Sequence, residues 1–490
     1  MSKFNLGALK ANKTVNNEGA IAYPMSDKEK LVTQVLTSFF NENKFYGDNS
    51  RDILNTVRSV IKTEPGFVAN LCIYARNEMH LRSISHVLVS ELAKSAEGKE
   101  YVRRILNKII ERPDDMTEIL AYYLTTYGKP IPNSIKKGLA NSFGKFDEYR
   151  LAKYNRKNIV KLKDILCLVH PKAKDERQND LWRRLLEDRL ETPVTWETEL
   201  SLKGNTKETW ERLIEENRLG YMAMLRNLRN IIKAGASNMN KVYEYLTNEE
   251  RVLQNKQLPF RYYSAYKTLK NEGIGTSKIY DALETAIKIS TQNIKRLPGK
   301  TLIAADVSGS MNYPVSRNSE LTCAEIAVLM LSIANYICEE TITKTFDNFL
   351  YTCNLSTQNG IIANADSIKV NGGGTDITLP LQYLLDKKIF VDRIIILSDN
   401  EINRVYTYSM GSGQPNTCQA LVERYKKWVN PNVWVHAIDM QGYGTQQFKG
   451  RNVNIIAGWS ERVFDFIYSV EQGMDSLIER IANYYFKQSG

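Results

Sequence analysis

The stretch Thr301-Leu302-Ile303-Ala304-Ala305-Asp306-Val307-Ser308-Gly309-Ser310 decides the fold of the second half of the chain. Its first five residues are apolar enough for a strand buried on both faces, the mark of a parallel sheet between helix layers. The strand runs straight into Asp-x-Ser-x-Ser, which sets one carboxylate and two hydroxyls on a tight loop at its carboxyl end. That is the edge at which open α/β sheets hold ligands. Oxygen donors alone suit a hard cation such as Mg2+, which takes few protein ligands and keeps waters.

Two later stretches extend the set. Asn371-Gly372-Gly373-Gly374-Thr375-Asp376 is a glycine-rich loop that brings another hydroxyl, and Val391 through Ser398-Asp399 is a second apolar strand ending in acid. Three loops at one sheet edge make an octahedral oxygen site with at least one open position. Capping of the following helix is the plainer use of Asp306 and Ser308, but the ordered recurrence of the three stretches favours the metal. The trio resembles the metal-ion-dependent adhesion site of von Willebrand factor A domains. The resemblance assigns Asp306, Ser308 and Ser310 to the first loop, Thr375 to the second and Asp399 to the third. It also implies that an acidic group from a partner completes the shell.

Around this half, the 490 residues have room for two to four domains, and the 43% apolar and 25% charged content is that of an ordinary globular protein. No apolar run approaches the ~20 residues of a membrane helix, and the N-terminal residues lack the apolar core of a signal peptide. Six scattered cysteines form no Cys-x-x-Cys pair, so neither a zinc site nor a disulfide framework is expected, and a cytoplasmic location is. The formal charge of +11 is uneven: residues 298–490 hold 16 Lys and Arg against 19 Asp and Glu, leaving 50 against 36 in residues 1–297. A basic first half points to a polyanion partner, with a merely solvated basic surface as the bland alternative.

Residues 1–25 read as a polar arm. From Ser26, whose Ser-Asp-Lys-Glu run is a capping box, amphipathic helices of 12–18 residues follow one another to about residue 295 with short proline and acid turns and no strand alternation. That spacing fits stacked pairs, a HEAT-like α-helical repeat, better than a simple bundle. Arg296-Leu297-Pro298-Gly299-Lys300 reads as a hinge into a doubly wound α/β domain, where strands and helices alternate to the end. The expected domains are therefore the arm 1–25, the repeats 26–297 and the metal domain 298–490.

Two basic clusters stand out. Between Arg150 and Lys174 eight basic residues, among them Lys153, Arg156, Lys157 and Lys172, face a single acid, with Tyr154 and His170 interleaved. Cations beside a stacking aromatic suit a phosphate backbone and unpaired bases; a lysine-rich loop is the equal alternative. If that segment is helical, Lys153 and Lys157 share a face. Further on, Arg226, Arg229 and Lys233 fall on one helix face, and no acid from Leu219 to Tyr243 offsets them. The usual fate of such a stripe is solvent; the sharper reading is a grip on a nucleic-acid strand. His80, His86 and His436 read as packing or hydrogen-bonding residues.

Helical repeats followed by this metal domain resemble the Ro autoantigen family, of bacterial or phage type, whose helical part is the TROVE module. The helical match lies in Lys153-Tyr154, Lys157 and Leu168-Val169-His170-Pro171-Lys172, in Met224-Leu225-Arg226-Asn227-Leu228, and in Pro259-Phe260 with Ala265-Tyr266. Arg156 and Val169-His170-Pro171 depart from the usual family pattern. The resemblance implies a ring of repeats with the A domain joining its ends. It implies small non-coding Y-like RNAs on the outer basic face, contacted at Lys153, Lys157 and His170, and single-stranded 3′ ends of misfolded RNA in a central hole, to which we assign Arg226 and Arg229. An RNA-processing nuclease or an acidic protein is the expected partner at the metal. No catalytic set is expected. The glycine-rich loop lacks the Lys of a Walker loop, Ser308 and Ser310 lack a His base, and two carboxylates make a weak nuclease. A metal-dependent scaffold whose repeats bind protein rather than RNA is the alternative, and a metal-dependent ribonuclease the third.

Overall fold

The structure is a computed structural model and describes residues 14–15, 21–22, 27–37, 50–155, 158–315, 321–399, 417–440, 448, 452–457, 462–472 and 474–484. The expected arm falls largely outside these residues, as do the Tyr-, Ser- and Gly-rich residues 406–416. Two short strands stand where none is expected: β1 (Thr14–Val15) pairs antiparallel with β2 (Ile21–Ala22).

The described residues separate into two compact units. One holds residues 27–36, 50–205 and 474–484, and the other holds residues 14–15, 21–22, 37 and 206–472. The first is helical. Its helices begin where proline and acid direct them: Pro65 and Pro113 open theirs, and Asp115 accepts the backbone N–H groups of Glu111 and Arg112 at 3.0 and 2.9 Å. Lys99–Ile109 and Asn133–Phe143 cross where Gly138 sits, and a Cβ there would lie 2.4 Å from Leu106 Cδ1. The glycine leaves the space that the Leu106 side chain fills. The last helix of the chain, Met474–Ala482, packs on Pro65–Asn77, where Asn70 Nδ2 donates to Ala482 O at 2.8 Å and the Tyr484 and Tyr74 rings meet edge to face. His86 is buried with Nε2 3.2 Å from Asp115 Oδ1, and burial lowers its pKa.

The second unit joins the helices of residues 207–290 to a six-stranded sheet. Its strands are β3 (Leu297–Asp306), β4 (Cys338–Phe346), β5 (Leu350–Thr352), β6 (Arg393–Ser398), β7 (Trp434–Asp439) and β8 (Val453–Ala457). Their order is β5-β4-β3-β6-β7-β8, parallel throughout except for the β4–β5 edge pair. The expected hinge at 296–300 is instead the start of β3. A register shift between Leu297 and Lys300, with Gly299 at φ +79°, is where Gly299 N–H reaches Glu339 Oε2 at 2.7 Å.

Leu302, Ala304, Ile394, Ile396, Val435 and Ala437 face the helices Thr378–Asp386 and Cys418–Trp428. Cys323–Ile337 packs on β3 and β4, and Arg462–Glu471 reaches the sheet through Glu471. Glu471 takes a bidentate ion pair from Arg393 and a bond from His436, which is buried in the core as expected.

Both faces covered by helices make the sheet doubly wound. The chain builds outward from β3 through β4 and then returns to β3's other side at β6. The β3–β6 border is thus the topological switch point, where the two connections leave in opposite directions and open a crevice.

Candidate functional site

The crevice at the carboxyl ends of β3 and β6 gathers the five residues expected there. Asp306 ends β3 and Asp399 follows β6; both are fully buried. Two backbone bonds hold the first and second loops together, Gly309 N–H to Gly373 O at 2.9 Å and Gly372 N–H to Val307 O at 3.0 Å. Gly372 has φ +75°, a conformation that a side chain rarely adopts. The pairing lines up the hydroxyls: Thr375 Oγ1 is 3.0 Å from Ser308 Oγ, which is 3.2 Å from Ser310 Oγ.

Asp306 accepts Ser308 N–H at 2.9 Å through one oxygen and Ser398 Oγ at 2.6 Å through the other. Those bonds favour its charged form, but burial outweighs them, and the neighbouring charge of Asp399 adds to it, so that its carboxyl is pushed up to about 7. The site sets a buried pair of carboxylates beside three hydroxyls. Among the described residues no group of three or more His, Cys, Asp or Glu is arranged to hold a metal ion. The set here leans on hydroxyls, the donor mixture that a hard cation accepts. The donors present therefore fit a divalent cation.

Sequence reasoning missed two contributors. Ser398 fixes Asp306 from the neighbouring strand, and Asp347 braces the glycine loop, its carbonyl accepting Asp376 N–H at 3.1 Å. The second has no motif; only the parallel pairing of β3 with β4 puts it there.

The first basic cluster is differently built from its expectation. Lys153 lies in the last turn of Glu148–Tyr154, which stops short of Arg156 and Lys157, both outside the described residues. The expected Lys153–Lys157 helix face therefore lies outside the described residues. The Tyr154 ring is covered by the Arg112 guanidinium at 4.6 Å, so the aromatic on offer is Tyr149, half exposed and 5.6 Å from Lys153 Nζ. His170 is the left-handed cap that ends the helix Leu162–Val169, and it and Lys172 are exposed. Among the described residues no ion pair engages Lys153, His170 or Lys172, and no bond joins them to one another. Lys163 is spent on Asp188.

Arg226, Arg229 and Lys233 do share an exposed helix face, on Tyr221–Lys233. No acid between Leu219 and Tyr243 offsets them, but one from a distant segment does. Glu272, from the end of the Pro259–Asn271 helix, meets Arg229 Nε at 2.5 Å and Lys233 Nζ at 2.8 Å. Arg226 and Arg229 nevertheless line a groove of about 350 Å³ with Arg261.

The comparisons follow the same division. The TROVE domain matches residues 16–189 and 186–276, and the Ro60 vWA domain matches residues 300–454. Telomerase protein component 1 of Rattus norvegicus is 25% identical over 49% of this chain, which spans only 12% of that protein's length. RNA-binding protein RO60 of Deinococcus radiodurans is 21% identical over 79% of this chain and 83% of its own. The protein of that name in Caenorhabditis elegans is 27% identical over 40% of this chain and 32% of its own. In fold, the chain matches the crystal structure of the Deinococcus radiodurans RO (RSR) protein with a TM-score of 0.66 and 17% identity, over 94% of this chain and 100% of that one. With more than half its length matched by the one domain and the Ro60 vWA domain following it, the chain belongs to the TROVE family, in its Ro form.

Proposed function

We propose that the protein is the RNA-binding scaffold of a Ro ribonucleoprotein. It takes a small, structured, Y-like RNA on the basic surface of its TROVE part, and single-stranded 3′ ends of misfolded RNA at Arg226 and Arg229, for quality control or processing rather than catalysis. The observation that carries the reading is that no ion pair neutralises Lys153, His170 or Lys172 among the described residues, with the half-exposed Tyr149 beside Lys153. Cations held for phosphate and a ring for an unpaired base are the chemistry of RNA recognition. The RNA-binding names of the Deinococcus and Caenorhabditis relatives support it. The cysteines, none of them in a disulfide, accord with a cytoplasmic setting.

At the sheet edge, Asp306, Ser308, Ser310, Thr375 and Asp399 would hold a divalent cation, Mg2+. When bound, that ion supplies a Lewis-acidic position for one more oxygen ligand. Phe349, 68% exposed, follows Asp347 and Asn348, which lie against Gly373 of the glycine loop, and an exposed aromatic there favours a protein bearing an acidic side chain, such as an RNA-processing nuclease, as that ligand's source. The chain's own residues set the donors in place: Ser398 and Ser308 orient Asp306, and the Gly309–Gly373 bond holds the hydroxyl loops together.

The test is fluorescence anisotropy with a labelled stem-loop RNA. Substituting Lys153, His170 and Lys172 together by Ala should weaken binding about tenfold or more and flatten the salt slope by about 2. Unchanged affinity and slope would contradict the reading.

A further inference from the structure

The groove between the helices Tyr221–Lys233 and Pro259–Asn271 has a composition that neither helix shows alone. Arg226 and Arg229 come from one wall and Arg261 from the other, with Ser264 and Thr268 beside it. Arg261, Ser264, Ala265 and Thr268 recur at helical spacing, so one face of Pro259–Asn271 is given to the groove. The opposite face is occupied within the same unit: Tyr266 donates to Asp366 at 2.5 Å, and Lys267 pairs with Asp366 at 3.2 Å and with Glu325 at 3.1 Å. The wall is therefore anchored from behind. Leu225 and Leu269 form an apolar floor. At about 350 Å³ the space lies at the small end of the range for ligand pockets, enough for one nucleotide and too small for a duplex.

Glu272 stands at the rim. Its carboxylate lies within ion-pair distance of Arg229 and of Lys233, a planar anion between two cations. Arg226 has no such acid among the described residues. A phosphate approaching this rim meets Arg226 directly and must compete with Glu272 for the other two.

We propose that this groove seats a single nucleotide of single-stranded RNA, with its phosphate on Arg226 and its base on the apolar floor, and that Glu272 acts as an internal counter-anion that lowers the affinity of the seat. The assignment rests on the RNA-binding reading above. It adds the size of the unit bound and a built-in restraint, which would let a strand slide through rather than lodge.

The test uses the full-length protein and a fluorescein-labelled ten-nucleotide oligouridine, with affinity measured across a salt series. Glu272→Gln frees Arg229 and Lys233. It should tighten binding about twofold to fivefold, since each exposed pair competes only weakly, and steepen the salt slope by about 0.7 per phosphate gained. Arg226→Glu, an exposed position where folding is not at stake, should weaken binding at least as much. Melting temperatures within a few degrees of the wild type would verify both folds. If the wild type binds oligouridine but neither variant changes affinity or slope, the nucleotide seat is wrong and RNA binding stands. If the wild type binds neither oligouridine nor the stem-loop, both are wrong. If Arg226→Glu weakens binding while Glu272→Gln leaves it unchanged, the counter-anion role is overturned.

Discussion

At Asp306, burial acts first and the charge of Asp399 second, and both oppose ionisation. The metal-free folded protein keeps a proton to about pH 7 that the unfolded chain releases near pH 4. A carboxyl raised in this way contributes its stability below about pH 4 and loses it as the pH climbs through 7. A bound cation reverses the preference, because it favours the charged form. Stabilisation by Mg2+ should therefore grow between pH 5 and 8. Thermal unfolding with Mg2+ against EDTA should show a larger shift at pH 8 than at pH 5.5, and Asp306→Asn should abolish it; equal shifts at both pH values would rule out this coupling. The meeting of Asp306, Ser308, Ser310, Thr375 and Asp399 at one sheet edge was legible because each sits next to an unmistakable apolar strand or a glycine run. Ser398 and Asp347 were not, since their roles depend on which strands pair and not on any local pattern. Glu272 was invisible for the same reason: it lies 39 residues beyond Lys233 in sequence and within 3 Å of it in space.

Among the elements, the seven-residue helix Ile361–Ser367 owes its place to a residue far away. Glu284 accepts the N–H groups of Ile361, Ile362 and Ala363, the last two at 2.9 and 3.2 Å. These are the orphan donors of a helix N-terminus, and a carboxylate there completes both bonds and dipole. Gly360 makes room for it, since a Cβ at that position would fall 2.4 Å from Glu284 Cδ. Glu284→Ala should cost about 1–3 kcal/mol, the penalty for partly buried donors left without partners. Urea denaturation would measure it, and a loss under about 0.5 kcal/mol would show that water or another group takes over the cap.

Long periodic helices and the apolar strands were legible from the sequence. Glu148–Tyr154, Trp196–Lys203 and Ile361–Ser367 were not, because seven or eight residues hold too few turns for periodicity to show. Where the amphipathic pattern runs on from Met239 to Asn255, the chain forms two helices, Met239–Thr247 and Glu249–Asn255. Asn248 accepts Arg251 N–H at 3.0 Å and starts a new helix, an ordinary capping choice that the apolar pattern hides.

For the whole molecule, the uneven charge of the chain becomes a statement about partners. The basic excess lies in residues 1–297, which include the TROVE part, while the sheet domain is slightly acidic. RNA bound through phosphates should be lost steeply as salt rises, by roughly one decade of affinity per decade of salt for each phosphate contacted. The fold class followed from two periodicities, 3.6 residues for the repeats and apolar strands alternating with helices after residue 300. The grouping of residues 206–290 with the sheet did not, because it rests on contacts such as Lys267 with Glu325 and Glu284 with Ile361 that join distant segments.

The most direct measurement is to purify the protein from its native cells at moderate salt and sequence the RNA that accompanies it, with a nuclease-treated replicate and a basic control protein alongside. The account predicts a discrete, small, structured RNA that disappears when Lys153, His170 and Lys172 are replaced. RNA no more abundant or defined than on the control would contradict it, and would leave the helical repeats as a surface for protein.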